Sequence, residues 1–358
     1  MFKDFLTRHN LAQETIAVGV SGGADSLALA LMLCDELKAQ KNRIIALTVD
    51  HGLRPSSKKE AQYVADIMKK NGIEHHILIW KGQKPKTGIE EAARQARYRL
   101  IKNWCVEHNV RFLMTAHHLL DQAETFFMRL ERGSGLSGLC GMNEATHHHG
   151  ITVLRPLLST HPDVLKDYLK KRSIAWVEDE SNNDSSLLRV KIRKFLPVFE
   201  KQTGITPSKI AQTMLRLQGS RNYFDRLISK LFKNNFKSYK NKAFRCSKVF
   251  FQALDDEIAY RLLCFIIQTT ARTDYAPEAQ KIFKLLKKLG KPNFKAATLG
   301  HCQMICMNGF LWFVPEHIQN MTYSRQKWND FIKENPQYKA QKIPLPVKKI
   351  LTGGECSI

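Results

Sequence analysis

Six consecutive residues, Ser21-Gly22-Gly23-Ala24-Asp25-Ser26, combine features that suit an anion. Two glycines permit backbone conformations closed to other residues, so successive N–H groups can converge on a phosphate without side chains intervening. Ser21 and Ser26 add hydroxyls, and a helix beginning near Ser26 would present its unpaired N–H groups and positive dipole end to the same ligand. Asp25 would repel a bare phosphate, but it fits if Mg²⁺ bridges its carboxylate to the phosphate oxygens. The plainer alternative is a glycine turn in which Asp25 or Ser26 only caps the helix.

Other chemistry-bearing residues are spread along the first half of the chain. Asp121 and Glu124 are three apart, so on a helix both carboxylates face one way and could hold a metal or an amine. His117 and His118 immediately precede them. Arg94 and Arg97 share a helical pattern with Tyr98 and suit phosphate oxygens, because a guanidinium fork matches them. His147-His148-His149 and the Cys302/Cys306 pair complete no zinc pattern, and are read as a loop tract and as small packing residues.

The elements that must position these groups alternate. Apolar runs at Ile16–Val20, Ile44–Val49, Ile77–Trp80, Val110–Met114 and Ile151–Leu154 predict strands. Between them, Leu27–Leu33, Ser57–Lys70, Gly88–Glu107 and Asp121–Glu131 predict helices, and this alternation implies a parallel α/β sheet. The glycine turn then falls at the carboxyl end of the first strand, where open sheets bind ligands. Arg132 and the stretch from Gly133 to Gly141 read as a mobile loop over the site. After about Pro197 the pattern changes to amphipathic helices at Ile210–Phe232, Asp255–Thr269 and Pro277–Leu289, with strands near Met304–Val314 and a weakly structured end from Gln337.

The chain has 358 residues and a formal charge of +23, from 56 Lys and Arg against 33 Asp and Glu. Residues 201–300 alone hold 20 basic against 6 acidic residues, so the charge concentrates away from the glycine turn and suggests a polyanionic partner. Eight scattered cysteines form no disulfide framework, and no run of apolar residues is long enough for a membrane span. A cytoplasmic chain with no membrane partner is the expectation.

The hexapeptide Ser21–Ser26 resembles the signature of the PP-loop ATP pyrophosphatases, which cleave ATP between its α and β phosphates. Further segments in order resemble one family within that group, the tRNA(Ile)-lysidine synthases: Val49-Asp50-His51-Gly52-Leu53-Arg54, Ala93–Tyr98, Ala116-His117-His118 with Asp121 and Glu124-Thr125, Arg132–Leu136, Leu154-Arg155-Pro156-Leu157, and Ser181-Asn182 with Asp184, Arg189 and Arg193. The resemblance covers roughly residues 14–197. It implies a PP-loop domain of the adenine nucleotide alpha hydrolase type at 1–205, a basic, mainly helical tRNA-binding domain at 206–295, and a short C-terminal region at 296–358. It also implies ATP as substrate, bound by Ser21, Gly22, Gly23, Ala24, Asp25, Ser26 and His51, with Mg²⁺ on Asp25. Asp25, Asp121 and Glu124 would be catalytic, and Arg94, Arg97, Arg132, Arg189 and Arg193 would contact tRNA. The implied partners are L-lysine and isoleucine tRNA with a CAU anticodon; oligomeric state stays open, a homodimer among the alternatives.

Three features depart from the family pattern. Leu120 stands where an acidic residue is usual, Leu187-Leu188-Arg189-Val190 lacks an aromatic and an Asn, and His301 replaces a second glycine. The rival readings are a PP-loop tRNA thiolation enzyme, an amide-forming PP-loop synthetase and a non-catalytic RNA-binding relative. The chain has no Cys-x-x-Cys for the first.

Overall fold

The computed structural model describes residues 2–37, 42–85, 87–148, 150–178, 188–273, 275–320 and 322–353. The chain divides into two compact units, Met1–Arg221 and Asn222–Ile358.

The first unit contains α1 (Lys3–Arg8), β1 (Thr15–Gly19), α2 (Ala24–Leu37), β2 (Arg43–Asp50), α3 (Ser57–Lys70), β3 (Glu74–Ile79), α4 (Ile89–Glu107) and β4 (Phe112–Met114). It continues with α5 (Leu119–Glu131), α6 (Leu136–Leu139), β5 (Ala145–His148), β6 (Ile151–Leu154), α7 (Pro162–Lys171), α8 (Leu188–Thr203) and the start of α9 (Pro207–Asn235). Its six strands lie in the order β3-β2-β1-β4-β6-β5, all parallel except β5. Alternate residues of the central strand enter different cores, as a strand covered on both faces requires. Ile16 and Val18 pack with α2 and with Leu165 and Leu169 of α7, whereas Ala17 packs with Ile101, Trp104 and Cys105 of α4. The continuous apolar run of α2 follows from this placement, because Leu27 through Leu31 are all buried.

Strand order reverses between β1 and β4, leaving a crevice beyond their carboxyl ends. Backbone bonds carry the ladder up to that edge: Val20 N–H donates to Leu47 O at 2.9 Å and Thr115 N–H to Leu154 O at 3.0 Å. The turn at Ser21 and the pair His117-His118 therefore reach the same end of the sheet.

Sequence patterning missed β5. Ala145-Thr146-His147-His148 is polar, and only its antiparallel register with β6 makes it a strand, so His147 lies on a sheet edge rather than in the expected loop. The expected mobile loop also differs. Gly133 and Gly141 have positive φ, but α6 forms between them, and Gly141 packs where an added Cβ would lie 1.9 Å from Met214 Cε.

The second unit takes up the rest of α9, then β7 (Lys237–Tyr239), β8 (Ala243–Ser247), α10 (Lys248–Gln252), α11 (Asp256–Ala271) and α12 (Ala279–Leu289). After these come β9 (Ala296–Leu299), β10 (Cys302–Met307), β11 (Phe310–Pro315), α13 (Arg325–Glu334) and α14 (Leu345–Leu351), with 3-10 turns at Glu316–Asn320 and Pro336–Tyr338. Its antiparallel sheet runs β7-β8-β11-β10-β9. Leu262, Leu263 and Ile266 of α11 and Ile282 of α12 fill one core with Phe244 and Phe313; Val347 and Ile350 of α14 join Tyr239 and Trp312 in another.

The division at Arg221 differs from the expected boundaries at 205 and 295 for two reasons. Ile210 and Met214 of α9 pack with Ala123 of α5 and Ile192 and Leu196 of α8, which ties the start of α9 to the first unit. β8 pairs with β11 across more than sixty intervening positions, so the segments on either side of residue 295 share one sheet. The lysine-rich composition that suggested a helical domain marks surface, not topology. The expected weakly structured end likewise contains α14, whose Val347, Ile350 and Leu351 are buried.

Candidate active site at the sheet switch point

The turn after β1 is closed by its own side chains. Ser26 Oγ accepts from Ser21 N–H at 3.0 Å and donates to Gly23 O at 3.0 Å, and it lies 3.2 Å from Ser21 Oγ. The Ser26 hydroxyl is thus used in shaping the turn, and exposed Ser21 is the hydroxyl at its mouth. Gly22 has φ +90, and a Cβ there would approach Val64 Cγ2 to 3.2 Å and Val177 Cγ2 to 3.4 Å. Val177 N–H donates to Gly22 O at 2.9 Å, so a second segment braces the turn from behind. Only glycine suits both that dihedral and that space. Ala24 begins α2 and is buried, which leaves the first N–H groups of the helix at the crevice.

Asp25 is the unbalanced residue here. Its Oδ1 is buried with no hydrogen-bond partner, and its Oδ2 lies 3.5 Å from His118 Nε2. His118 lies in the short connection after the neighbouring strand β4 and N-caps α5. Its Nδ1 accepts from Asp121 N–H at 3.4 Å, while its own N–H donates to Asp121 Oδ2 at 2.9 Å. With Nδ1 accepting, the ring hydrogen sits on Nε2 and points to Asp25. Burial alone would lower the His118 pKa, but the hydrogen bond to Asp25 and the charges of Asp121, Asp25 and Glu124 outweigh it and raise the pKa.

Asp121 and Glu124 do share a face of α5, as their spacing predicts. They are not open to solvent, however. Arg189 Nη2 donates to Asp121 Oδ1 and Arg189 Nε to Glu124 Oε2 at 2.5 Å; Arg193 Nε reaches Glu124 Oε1 at 2.7 Å. Glu124 is completely buried and Asp121 nearly so. Burial would raise the Asp121 pKa, but the charges of His118 and Arg189 win and hold it below the usual carboxylate range. Arg189 and Arg193, expected on tRNA, therefore spend their Nε donors, and Arg189 its Nη2 as well, on these carboxylates. Sequence could not show this, because the arginines are more than sixty positions away from the carboxylates they pair with.

A second group surrounds His117 and His51. His117 contacts Thr115 Oγ1 at 2.9 Å and is pushed down to about 4, by burial first and then by the charges of Arg155, Arg94 and Arg189 against the opposing pull of Asp121. His51 is lowered too, by burial and by Arg97 and Lys84. Its Nδ1 is buried without a partner, and its ring meets Trp80 edge-on at 5.8 Å, with Lys84 Nζ 4.6 Å from the other ring's centroid. Arg94 and Arg97 stand over Tyr98 at 5.2 and 6.0 Å. Arg132, at the C-cap of α5, is exposed. Two residues that the sequence did not single out belong here, Trp80 and Lys84, together with Arg155 of the Leu154–Leu157 segment. Arg155 donates from Nη1 to Asn143 O and Thr146 Oγ1 at 2.9 Å each, and its Nε is buried without a partner. Ser181, Asn182 and Asp184 lie outside the described residues.

The arrangement pairs anion-seeking groups with one unsatisfied carboxylate oxygen. Backbone N–H groups and a helix N-terminus face the crevice, histidines held neutral sit among arginines, and Asp25 Oδ1 lacks a positive partner. Mg²⁺ held through one carboxylate plus phosphate oxygens and water would satisfy that atom. Among the described residues no three His, Cys, Asp or Glu side chains converge into a metal cage, so the donor set fits a nucleotide-borne cation rather than a closed protein site.

Residues 2–198 match a family described as a PP-loop domain. The chain is 34% identical over 307 residues to the tRNA(Ile)-lysidine synthase of Wolbachia pipientis wMel, covering 85% of this chain and 71% of the relative. To that of Hyphomonas neptunium it is 31% identical over 315 residues, covering 86% and 83%. The chain belongs to the tRNA(Ile)-lysidine synthase family. Among solved structures, the U34-tRNA thiolase NcsA from Methanococcus maripaludis, with its [4Fe-4S] cluster, is similar at 20% identity and a TM-score of 0.50, covering 57% of this chain and 72% of that one. That likeness shows the PP-loop fold. Membership of that family makes the chain an ATP-using, tRNA-modifying enzyme. No helix among the described residues is long and apolar enough to cross a membrane.

Proposed function

We propose that the chain joins free L-lysine to C2 of the wobble cytidine in the CAU anticodon of isoleucine tRNA. The cytidine O2 attacks the α phosphate of ATP, diphosphate leaves, and the lysine amine then displaces AMP at C2 with loss of a proton. The observation that carries this reading is the buried, unpartnered Asp25 Oδ1 beside a phosphate-shaped turn at the sheet switch point. Bound Mg²⁺ would neutralise phosphate charge at Asp25. Ser21, Gly22, Gly23 and the first N–H groups of α2 bind phosphate, and His51 lies beside the nucleotide. Arg94, Arg97 and Arg189 supply positive potential as charge develops on the α phosphate. Asp121 and Glu124 hold Arg189 and Arg193 in place, and Asp121 is the nearer of the two to the crevice, where a lysine ammonium would be drawn. Arg132 and the exposed lysines of the second unit contact tRNA.

Radiolabelled lysine, ATP and isoleucine tRNA provide the test. Label in tRNA, with one AMP released per lysine, is expected; ATP consumption without label in tRNA overturns the reading.

A further inference from the structure

Residues 140–144 join α6 to β5 and are gripped from several sides. Gln122, which directly follows Asp121 on α5, donates from Nε2 to Met142 O at 2.8 Å and accepts from Met142 N–H through Oε1 at 2.9 Å. Its amide is buried, and both of its polar atoms are committed to a single residue's backbone. From α9, Gln218 Nε2 donates to the same Met142 carbonyl at 3.1 Å and to Cys140 O at 2.8 Å. Arg221, one helical turn further on, reaches Asn143 Oδ1 at 2.5 Å. Gly141 lies between the two helices: an added Cβ would be 1.9 Å from Met214 Cε of α9 and 2.7 Å from Gln122 Oε1 of α5. On the far side, Arg8 forks Glu144 at 2.8 and 2.9 Å, and Arg155 donates to Asn143 O at 2.9 Å.

The carbonyl of Met142 is therefore shared between one glutamine on α9 and another on α5. A carbonyl has two lone pairs, and here each helix takes one. Any displacement of α9 at Gln218 moves that oxygen, and with it the amide of Gln122, which sits on α5 between Asp121 and Glu124. The paired carboxylates tolerate little movement, since their guanidinium partners are at hydrogen-bond contact.

We propose that Gln218 is a positioning residue that sets the α5 carboxylates through Met142 and Gln122. Its effect on turnover rests on the proposed function; its effect on α5 does not. Gln218→Met keeps the length and removes the donor, and Gln218→Lys returns a donor of similar reach. For Gln218→Met we expect kcat for lysine incorporation to fall roughly ten-fold, the scale of the two lost hydrogen bonds, with KM for ATP unchanged and the unfolding temperature lowered by only a few degrees. Gln218→Lys should restore most of kcat. An unchanged kcat overturns the proposal, as does a fall that Gln218→Lys leaves in place or that comes with an equal rise in KM. Amide hydrogen exchange along α5 needs no substrate: faster exchange at 122–127 in Gln218→Met supports the latch, and unchanged exchange overturns it. A wild-type chain that incorporates no lysine defeats the proposed function, and the exchange measurement still decides the latch.

Discussion

Two carboxylates at the same edge of the sheet are treated in opposite ways. Glu124 is fully buried, and each oxygen receives a guanidinium N–H. Asp25 keeps one oxygen beside His118 and the other buried with no hydrogen-bond partner. A saturated carboxylate builds architecture, because every lone pair it turns inward is already used. An unsatisfied one stores a demand that a ligand can meet, since a buried acceptor without a donor is destabilising by about 1–3 kcal/mol. The difference separates the group poised for a substrate from the group that holds its neighbours still.

Mutation should pull the two apart. Asp25→Ala is expected to lower tRNA-dependent ATP–diphosphate exchange by about 10³-fold or more, while urea unfolding shows stability unchanged or slightly raised. Retained exchange would remove Asp25 from the reaction. Glu124→Ala should instead lower stability by about 2–3 kcal/mol: losing one partner of a buried pair is usually costlier, but water screens the half-exposed arginines. An equally stable Glu124→Ala would mean that the arginine cluster is not structural.

Acidity tests the histidines of the first unit. His75 and His117 are pushed down to about 4, and His51 is also lowered, so the folded state keeps them neutral where an unfolded histidine is charged. Between about pH 6.5 and 4 the unfolded chain binds more protons at these sites, and stability should fall as pH drops through that window. His118 is raised and works the other way; its contribution is present at low pH and lost as pH rises through its folded value. The lowered carboxyls, Glu74 and Asp121, begin to add their loss only as pH falls through about 4.5 and 3.8, their unfolded values. Urea midpoints measured from pH 7 to 4 should decline, and His118→Gln should steepen the decline. A flat profile would contradict the neutral histidines.

The smallest effects are expected from the second unit. Lys230, Lys233, Lys237 and Lys242 are exposed in the second unit, whereas Lys240 and Lys248 donate to backbone carbonyls. Replacing any one of the first four by Gln should weaken tRNA binding a few-fold and flatten the plot of log affinity against log salt by roughly 0.7–0.9 per lost phosphate contact. Exchange with saturating tRNA should hold. Unchanged affinity across all four would move the tRNA surface elsewhere.

Much of the first unit was legible because its signals are local. Apolar runs and glycine placement located β1, the turn and α2, and spacing put Asp121 and Glu124 on one face of α5. Leu120, the departure from the family pattern, precedes an Asp121 whose two oxygens are already engaged. The unread parts depend on partners distant in sequence. Polar β5 is a strand only because β6 offers it a ladder, and β7 and β8 belong with β11 only through long-range pairing.

The sequence by itself determined the chemistry available: a glycine turn for phosphate, a carboxylate within it, an i, i+3 acidic pair and a basic second half. Residue type and short-range periodicity suffice for these, since each is a property of a few neighbouring positions. Tertiary structure alone decided which of those groups stays available. Folding α8 against α5 closed Glu124 and Asp121 with arginines, and β4 delivered His118 to Asp25 Oδ2. Oδ1 was left buried and unpaired, because hydrogen-bond satisfaction depends on what packs nearby and not on what precedes in the chain.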